Sequence, residues 1–128
     1  MTDKELDDKR LEVVAINTEI QKLKSRKSLI VKEIQAENKE RVFAKYPDIK
    51  EGDKVKIIYE PFFYWNRSHE RKELIGFFGG AYLDSWDSDT TAIDAYKFRI
   101  YKVKKDGTQS LRNDRLNQDE IISITKID

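Results

Sequence analysis

Few residues in this 128-residue sequence are of a type and spacing that supports catalysis or metal binding. His69 is the only histidine, and Ser68 beside it lacks both the glycines of a nucleophile elbow and a spaced acid. Four aspartates with oxygen ligands for a hard cation share one segment: Asp84, Asp87, Asp89 and Asp94. Their spacing is not that of an EF-hand, and the central glycine is missing. Without cysteine there is no disulfide and no thiolate zinc site. We therefore expect no catalytic residue, no metal ion and no cofactor.

The aromatic residues between Pro61 and Lys72, in a predicted loop, are stronger candidates for a binding function. Four aromatics are consecutive at positions 62–65, so about two of them should point away from the core. The predicted partner-binding residues are Tyr64, Trp65, Arg67 and Arg71 of this loop, joined by Trp86 from a second predicted loop at residues 84–91. Aromatics beside cations can bind a peptide or stack on bases, and with neighbouring aspartates they can hold a cationic side chain. They can equally cover the chain's own core, and the sequence leaves these alternatives open.

Basic residues define an alternative surface for nucleic acid. The helix carries a basic band without an acid between Glu19 and Glu33, and two more cations fall on a predicted strand. The predicted contacts are Lys22, Lys24, Arg26, Lys97 and Arg99. The whole chain has 25 basic and 24 acidic residues, a balance that argues against a strong non-specific polyanion binder.

The element that must position these residues is a long helix predicted for residues 2–46. With position a at Leu6, a seven-residue apolar repeat runs without Gly or Pro, and the seam predicted to mediate oligomerisation is Val13, Ile16, Ile20, Leu23, Lys27, Ile30 and Ile34. Such a narrow seam suits a partner helix. The g positions are almost all acidic, and in a parallel pair Glu5 would face Arg10 and Glu19 would face Lys24. We therefore predict a parallel homodimer.

Two other arrangements of the helix remain open. The chain can turn back as a hairpin near residues 24–28, or the seam can dock on the chain's own β domain. Thr2 and Glu5 form a capping box at the start of the helix, and Pro47 should end it near Tyr46. We expect Val42, Phe43 and Tyr46 to pack against the β domain.

About five short strands are predicted after the helix, the first at residues 54–60 and the second at 73–83 with a bend at Gly79-Gly80. The longest is predicted at 92–104, with Tyr96, Phe98 and Ile100 inward. A tight turn leads to a strand at 108–111, a short helical turn at 113–118 and a last strand at 120–126, with Ile122 and Ile124 inward.

The segment Ile49-Lys50-Glu51-Gly52-Asp53-Lys54-Val55-Lys56-Ile57 resembles the opening of SH3-like barrels of the KOW and Tudor type, and Glu120–Ile124 resembles their closing strand. The heptad repeat and the resemblance together predict an α+β protein: a coiled-coil helix at 1–46, from the repeat, and a small antiparallel SH3-like barrel at 47–128, which the resemblance implies. SH3-like barrels serve many roles. We expect a non-enzymatic dimeric adaptor or inhibitor-type protein that binds a protein partner, with a nucleic-acid-associated factor as the alternative. The sequence has no signal-peptide core and no run of membrane-spanning length, so we expect a cytoplasmic protein without a membrane partner.

Overall fold

The computed structural model describes residues 1–62 and 69–128 of the chain. The helix α1 spans Asp3–Ala44 and precedes all of the strands. The strands are β1 Lys54–Tyr59, β2 Lys72–Leu83, β3 Tyr96–Val103, β4 Gln109–Asn117 and β5 Ile121–Lys126. Short 3-10 turns at Ile93–Ala95 and Gln118–Glu120 precede β3 and β5. The predicted α+β class is confirmed.

The helix is continuous over 42 residues, about 60 Å of helix at the standard rise. At its start, the Thr2 hydroxyl accepts a hydrogen bond from the Glu5 amide, as a capping box requires. At its end, the Lys45 amide closes the last turn two residues before Pro47. Because helical geometry persists through residues 24–28, the structure excludes the hairpin alternative.

The five strands form one antiparallel sheet in the order β4-β3-β2-β1-β5. The pairing of β2 with β3 shifts register between Phe78 and Ala81, which confirms the bend predicted at Gly79-Gly80. Gly80 has a φ of 80°, a conformation that a residue with a Cβ rarely adopts. The ladders of the described strands join no residue of β4 to β5, and closure of this sheet into a barrel stays a prediction.

The core lies between the sheet and the last turns of the helix. The inward side chains of β3 are buried as predicted: Tyr96, Phe98 and Ile100. From the helix, Val42 is fully buried in the same cluster. The Phe43 ring meets Phe78 edge-on at 6.3 Å, and the Tyr46 ring meets Phe98 at 5.7 Å. The predicted packing of the last helical turns is confirmed, and the sheet core therefore includes residues from the helix.

Two strand predictions are wrong. Residues 113–117 belong to β4 and not to a helical turn. The 3-10 turn follows β4, at Gln118–Glu120. Only Leu116 of β4 is buried, so the strand is held mainly by its backbone pairing with β3 and carries little apolar signal. The longest strand is the 12-residue β2, because a loop and a 3-10 turn occupy residues 84–95.

The inward face of β5 also differs from the prediction. Ile122 is 43% exposed, whereas Ile121 and Ile124 pack against the core. The pairing of β1 with β5 shifts register between Ile58 and Tyr59, so Tyr59 pairs with Ile121. This irregularity breaks the simple alternation on which the prediction relied.

Candidate partner-binding surfaces

The segment of residues 84–92, here called the acidic loop, is fastened to the helix by side-chain hydrogen bonds. Gln35 Nε2 donates to the carbonyl oxygens of Ser88 at 2.8 Å and Thr90 at 3.0 Å. Asn38 Nδ2 donates to the carbonyl oxygen of Thr91 at 2.8 Å. These bonds satisfy backbone acceptors of a loop that has no strand partner there. The loop is therefore held in one position relative to the helix.

The acidic loop is also ordered by its own turns, and it presents Trp86 to solvent. Asp87 Oδ1 accepts a hydrogen bond from the Asp89 amide at 2.9 Å, and Ser85 Oγ accepts one from the Asp87 amide at 3.1 Å. Such side-chain turns stabilise a loop without burying it. The Trp86 side chain between them is 99% exposed. A fully exposed indole on a fastened loop offers an apolar ring with a polar N–H to another molecule.

The other predicted partner-binding residues lie elsewhere. Tyr64, Trp65 and Arg67 are outside the described residues. Arg71 is exposed and directly precedes β2, while Trp86 comes shortly after the other end of the same strand. The structure therefore places Arg71 and Trp86 at opposite ends of β2. A single surface that includes all five residues stays a prediction.

His69 lies on the surface near the start of β2. Its Nδ1 is 2.6 Å from Oε1 of Glu60, and its backbone has a φ of 53°. The contact ties Glu60 to His69 across the chain segment between them.

Three of the four aspartates considered for metal binding make other contacts. Asp84 Oδ2 pairs with Lys97 at 2.8 Å, Asp89 Oδ2 pairs with Lys27 at 3.6 Å, and Asp87 caps a turn. Within residues 1–62 and 69–128, no group of three or more His, Cys, Asp or Glu side chains is arranged to hold a metal ion. The acidic loop uses its carboxylates for attachment and turn formation.

Two of the cations predicted for nucleic-acid contact are engaged on the sheet. Lys97 donates to Asp84, and the Arg99 guanidinium lies 4.4 Å from the centre of the Tyr82 ring. Arg115, directly opposite Arg99 in the register of β3 and β4, lies 5.7 Å from the same ring. The interaction of both guanidinium groups with one aromatic ring offsets the repulsion between two facing arginines. The helix cations Lys22, Lys24 and Arg26, by contrast, are exposed.

The Asp84–Lys97 pair makes stability depend on pH. The hydrogen bond from Lys97 lowers the pKa of the Asp84 carboxyl below its ordinary value of 3.8. A carboxyl with a lowered pKa stabilises the fold fully above its unfolded pKa, and this contribution is lost as the pH falls through the folded pKa.

We expect Asp84→Asn to unfold at a lower urea concentration than the wild type at pH 7. The difference should shrink as the pH falls below about 4, where the wild-type carboxyl is also protonated. Urea midpoints between pH 2.5 and 7 measure this. A gap between the two proteins that stays constant across this range would contradict the assignment.

The helix seam is exposed over most of its length in the single chain. Its six apolar members from Val13 to Ile34 are 38–56% exposed. Near its C-terminal end the seam forms an open groove, lined by Leu23, Arg26, Lys27, Ile30, Val31, Ile34 and Thr91. The alternative in which this seam docks on the chain's own β domain is not what the structure shows. Apart from Lys27, which pairs with Asp89, the helix side chains described above that reach the acidic loop and the sheet belong to a neighbouring flank.

That neighbouring flank was missed in the sequence. Val31, Gln35, Asn38 and Val42 follow one another at spacings of four, three and four, so they form one stripe beside the seam. Val31 and Val42 are buried, and Gln35 and Asn38 make the hydrogen bonds described above. The spacing of the stripe can be recognised in the sequence. It was missed because Gln35 and Asn38 are polar, as solvent-exposed helix residues usually are.

Comparisons with protein-family models, with curated proteins and with solved structures found no match. No helix in the described part of the chain combines the length and apolar character that a membrane crossing requires. The function must therefore be argued from the chain's own surfaces.

Proposed function

We propose that this chain is a non-enzymatic adaptor that forms a parallel dimer through residues 6–44 and binds a protein partner through each β domain. The seam supports the dimer: a continuous helix with six exposed apolar residues at heptad spacing leaves a stripe that a second helix would cover. The g and e charges favour the parallel orientation, because Glu would otherwise face Glu. In the β domain, β1 to β4 form a four-stranded meander and β5 pairs with β1, and we propose that this sheet closes as an SH3-like barrel.

Trp86 is the observation that carries the protein-binding part of the proposal. Tryptophan is enriched among the residues that dominate protein–protein binding energy, because its large ring buries much area at a small entropic cost. Here the ring is fully exposed, while hydrogen bonds from Gln35 and Asn38 fix the loop that carries it. Because the loop is already ordered, binding through Trp86 carries no free-energy cost for ordering it. The same features would serve an inhibitor that blocks a partner's surface.

Nucleic-acid binding receives less support from the geometry. Of the five predicted contacts, Lys97 and Arg99 are paired within the sheet, and those that remain exposed are on the helix. The net charge of +1 gives little general attraction for a polyanion. We treat this alternative as an outcome that the following experiment can reveal.

We expect Trp86→Ala to weaken partner binding by more than about tenfold, the loss typical of a buried aromatic anchor. The full-length protein is used to capture a partner from nuclease-treated lysate, and the affinity is then measured with the purified partner. The thermal midpoint should change little, because the Trp86 side chain makes almost no contact with its own chain.

Leu111→Ala is the matched control, since Leu111 is an apolar side chain on β4 that is 92% exposed. Equal binding by Trp86→Ala and the wild type would show that this surface is not the one used. Capture that disappears after nuclease treatment, and that is reduced by changing Lys22, Lys24 and Arg26 to Ala, would favour the nucleic-acid alternative.

A further inference from the structure

The groove on the seam has the layout that a second coiled-coil helix requires. In a parallel pair, a residue at position a enters a hole formed by the preceding d and g residues and the next a and d residues, which here are Leu23, Arg26, Lys27 and Ile30. A residue at the next d enters a hole formed by Lys27, Ile30, Val31 and Ile34. These two consecutive holes supply six of the seven residues that line the groove.

The seventh residue of the groove comes from the acidic loop. Thr91 stands beside Val31, which occupies an e position and is only 7% exposed. Contacts of the loop with the helix occur on both sides of Val31, at Lys27 and at Gln35. The loop therefore forms a wall along the e flank of the seam, where a second helix would lie against it.

Lys27 is the charged residue within the apolar part of the seam, at an a position where a dimer would place two lysines close together. Its ammonium nitrogen lies 3.6 Å from Asp89 Oδ2 in the acidic loop. This ion pair draws the ammonium toward the e flank and offsets its charge. In the single chain both groups are more than half exposed, so the pair contributes little until a second helix covers it.

Arg26 supplies the matching charge from the second chain. It is the one basic residue among the six g positions, and in a parallel dimer the g position at 26 faces the e position at 31 of the other chain. Val31 offers no charge, but the acidic loop that covers it carries Asp87 and Asp89. Arg26, the one basic residue of the g series, is therefore at the position that would face the acidic loop of the other chain.

We propose that the acidic loop is part of the dimer interface: the second copy's helix enters the groove, its Arg26 faces the acidic loop, and Asp89 neutralises the Lys27 of its own chain. The inference rests on the parallel dimer of the proposed function and specifies how the β domain contributes to it. The partner is a second copy because the groove, the g series and the acidic wall belong to one chain and complement one another.

Dimer dissociation constants of the full-length chain, from sedimentation equilibrium, test the inference. Arg26→Glu should raise the dissociation constant about tenfold or more, since two contacts become repulsive in each dimer. Lys22→Glu is the matched control: it makes the same charge change one turn earlier, at a c position that faces away from the partner helix. If the acidic loop were not part of the interface, the glutamate in Arg26→Glu would face only Val31 of the other chain. The variant would then behave like Lys22→Glu.

Asp89→Asn tests the second contact, with Asp94→Asn as its control because Asp94 makes no ion pair in the described residues. Asp89→Asn should raise the dissociation constant about tenfold and Asp94→Asn should not. In a Lys27→Ile background the effect of Asp89→Asn should be reduced, because part of it acts through Lys27.

The possible failures are distinguishable. A wild-type dimer in which either variant behaves like its control overturns this inference while the dimer of the proposed function stands. A wild-type chain that is monomeric at tens of micromolar overturns both. Partner capture through Trp86 is measured separately and depends on neither result.

Discussion

Ile20→Asp should convert the dimer into a monomer. In a parallel pair Ile20 occupies a central a position, where it meets Ile20 of the other helix, and the change buries two unpaired carboxylates against each other. We expect the dissociation constant to rise more than about a thousandfold, the effect of a penalty of about 4 kcal/mol or more. Light scattering at tens of micromolar measures the mass.

The same variant should keep a folded β domain. Ile20 lies two turns before Lys27, which pairs with Asp89 of the acidic loop, and well before Val42 in the core. The N-terminal helix should lose helicity, since a helix without a packed face is marginal in water. A thermal midpoint for the sheet close to that of the wild type is therefore expected, together with a weaker helical circular dichroism signal.

Leu11→Asp is the control for this experiment. Leu11 is an exposed apolar residue of the same helix, at an f position on the side away from the seam. It should remain a dimer. A Leu11→Asp protein that dissociates as completely as Ile20→Asp would show that the seam is not the contact surface, and loss of the sheet in Ile20→Asp would show that the helix and the sheet unfold as one unit.

The helix could be predicted from the sequence because its signal is long and repetitive. Its cap at Thr2 and its end before Pro47 follow from local chemistry that tertiary contacts rarely override. The inward residues of β3 also follow from alternation, because Tyr96, Phe98 and Ile100 face a core on one side only. Each of these features depends on residues close together in the chain.

The features that could not be predicted depend on contacts between distant residues. Gln35 and the acidic loop are more than 50 residues apart, and a polar side chain gives no sign of which carbonyl it will meet. The second half of β4 was missed because Asn113 and Asp114 disfavour strands in isolation, and pairing with β3 overrides that preference. The stack of Arg99 and Arg115 on Tyr82 likewise requires the register of three strands.

For the candidate site, the sequence indicated Trp86 correctly as an exposed residue of a loop, but it could not give that residue its surroundings. The prediction joined Trp86 to Arg71, whereas the two lie at opposite ends of β2. The two residues are close in sequence, but the extended strand between them separates them in space, at about 3.3 Å for each residue.

Val42→Asp should unfold the β domain, although residue 42 belongs to the helix. Val42 is fully buried with Phe78, Phe98 and Ile57 in the core of the sheet. A carboxylate there has no cation among the core residues, so its burial costs several kcal/mol, or the carboxyl must take up a proton. We expect a loss of about 4 kcal/mol or more in the free energy of unfolding, measured by urea denaturation with tryptophan fluorescence and circular dichroism.

Val14→Asp is a close control for Val42→Asp, because it places the same change on the same helix at the same heptad position, b, four heptads earlier. Val14 is exposed and lies off the seam, so its replacement should change the free energy of unfolding by less than about 1 kcal/mol. If both variants were equally stable, the last helical turn would not be part of the sheet core. The contrast between them would instead show that one helix serves two purposes: its N-terminal part carries the seam that faces a second chain, and its last turns complete the core of the domain that the seam brings into pairs.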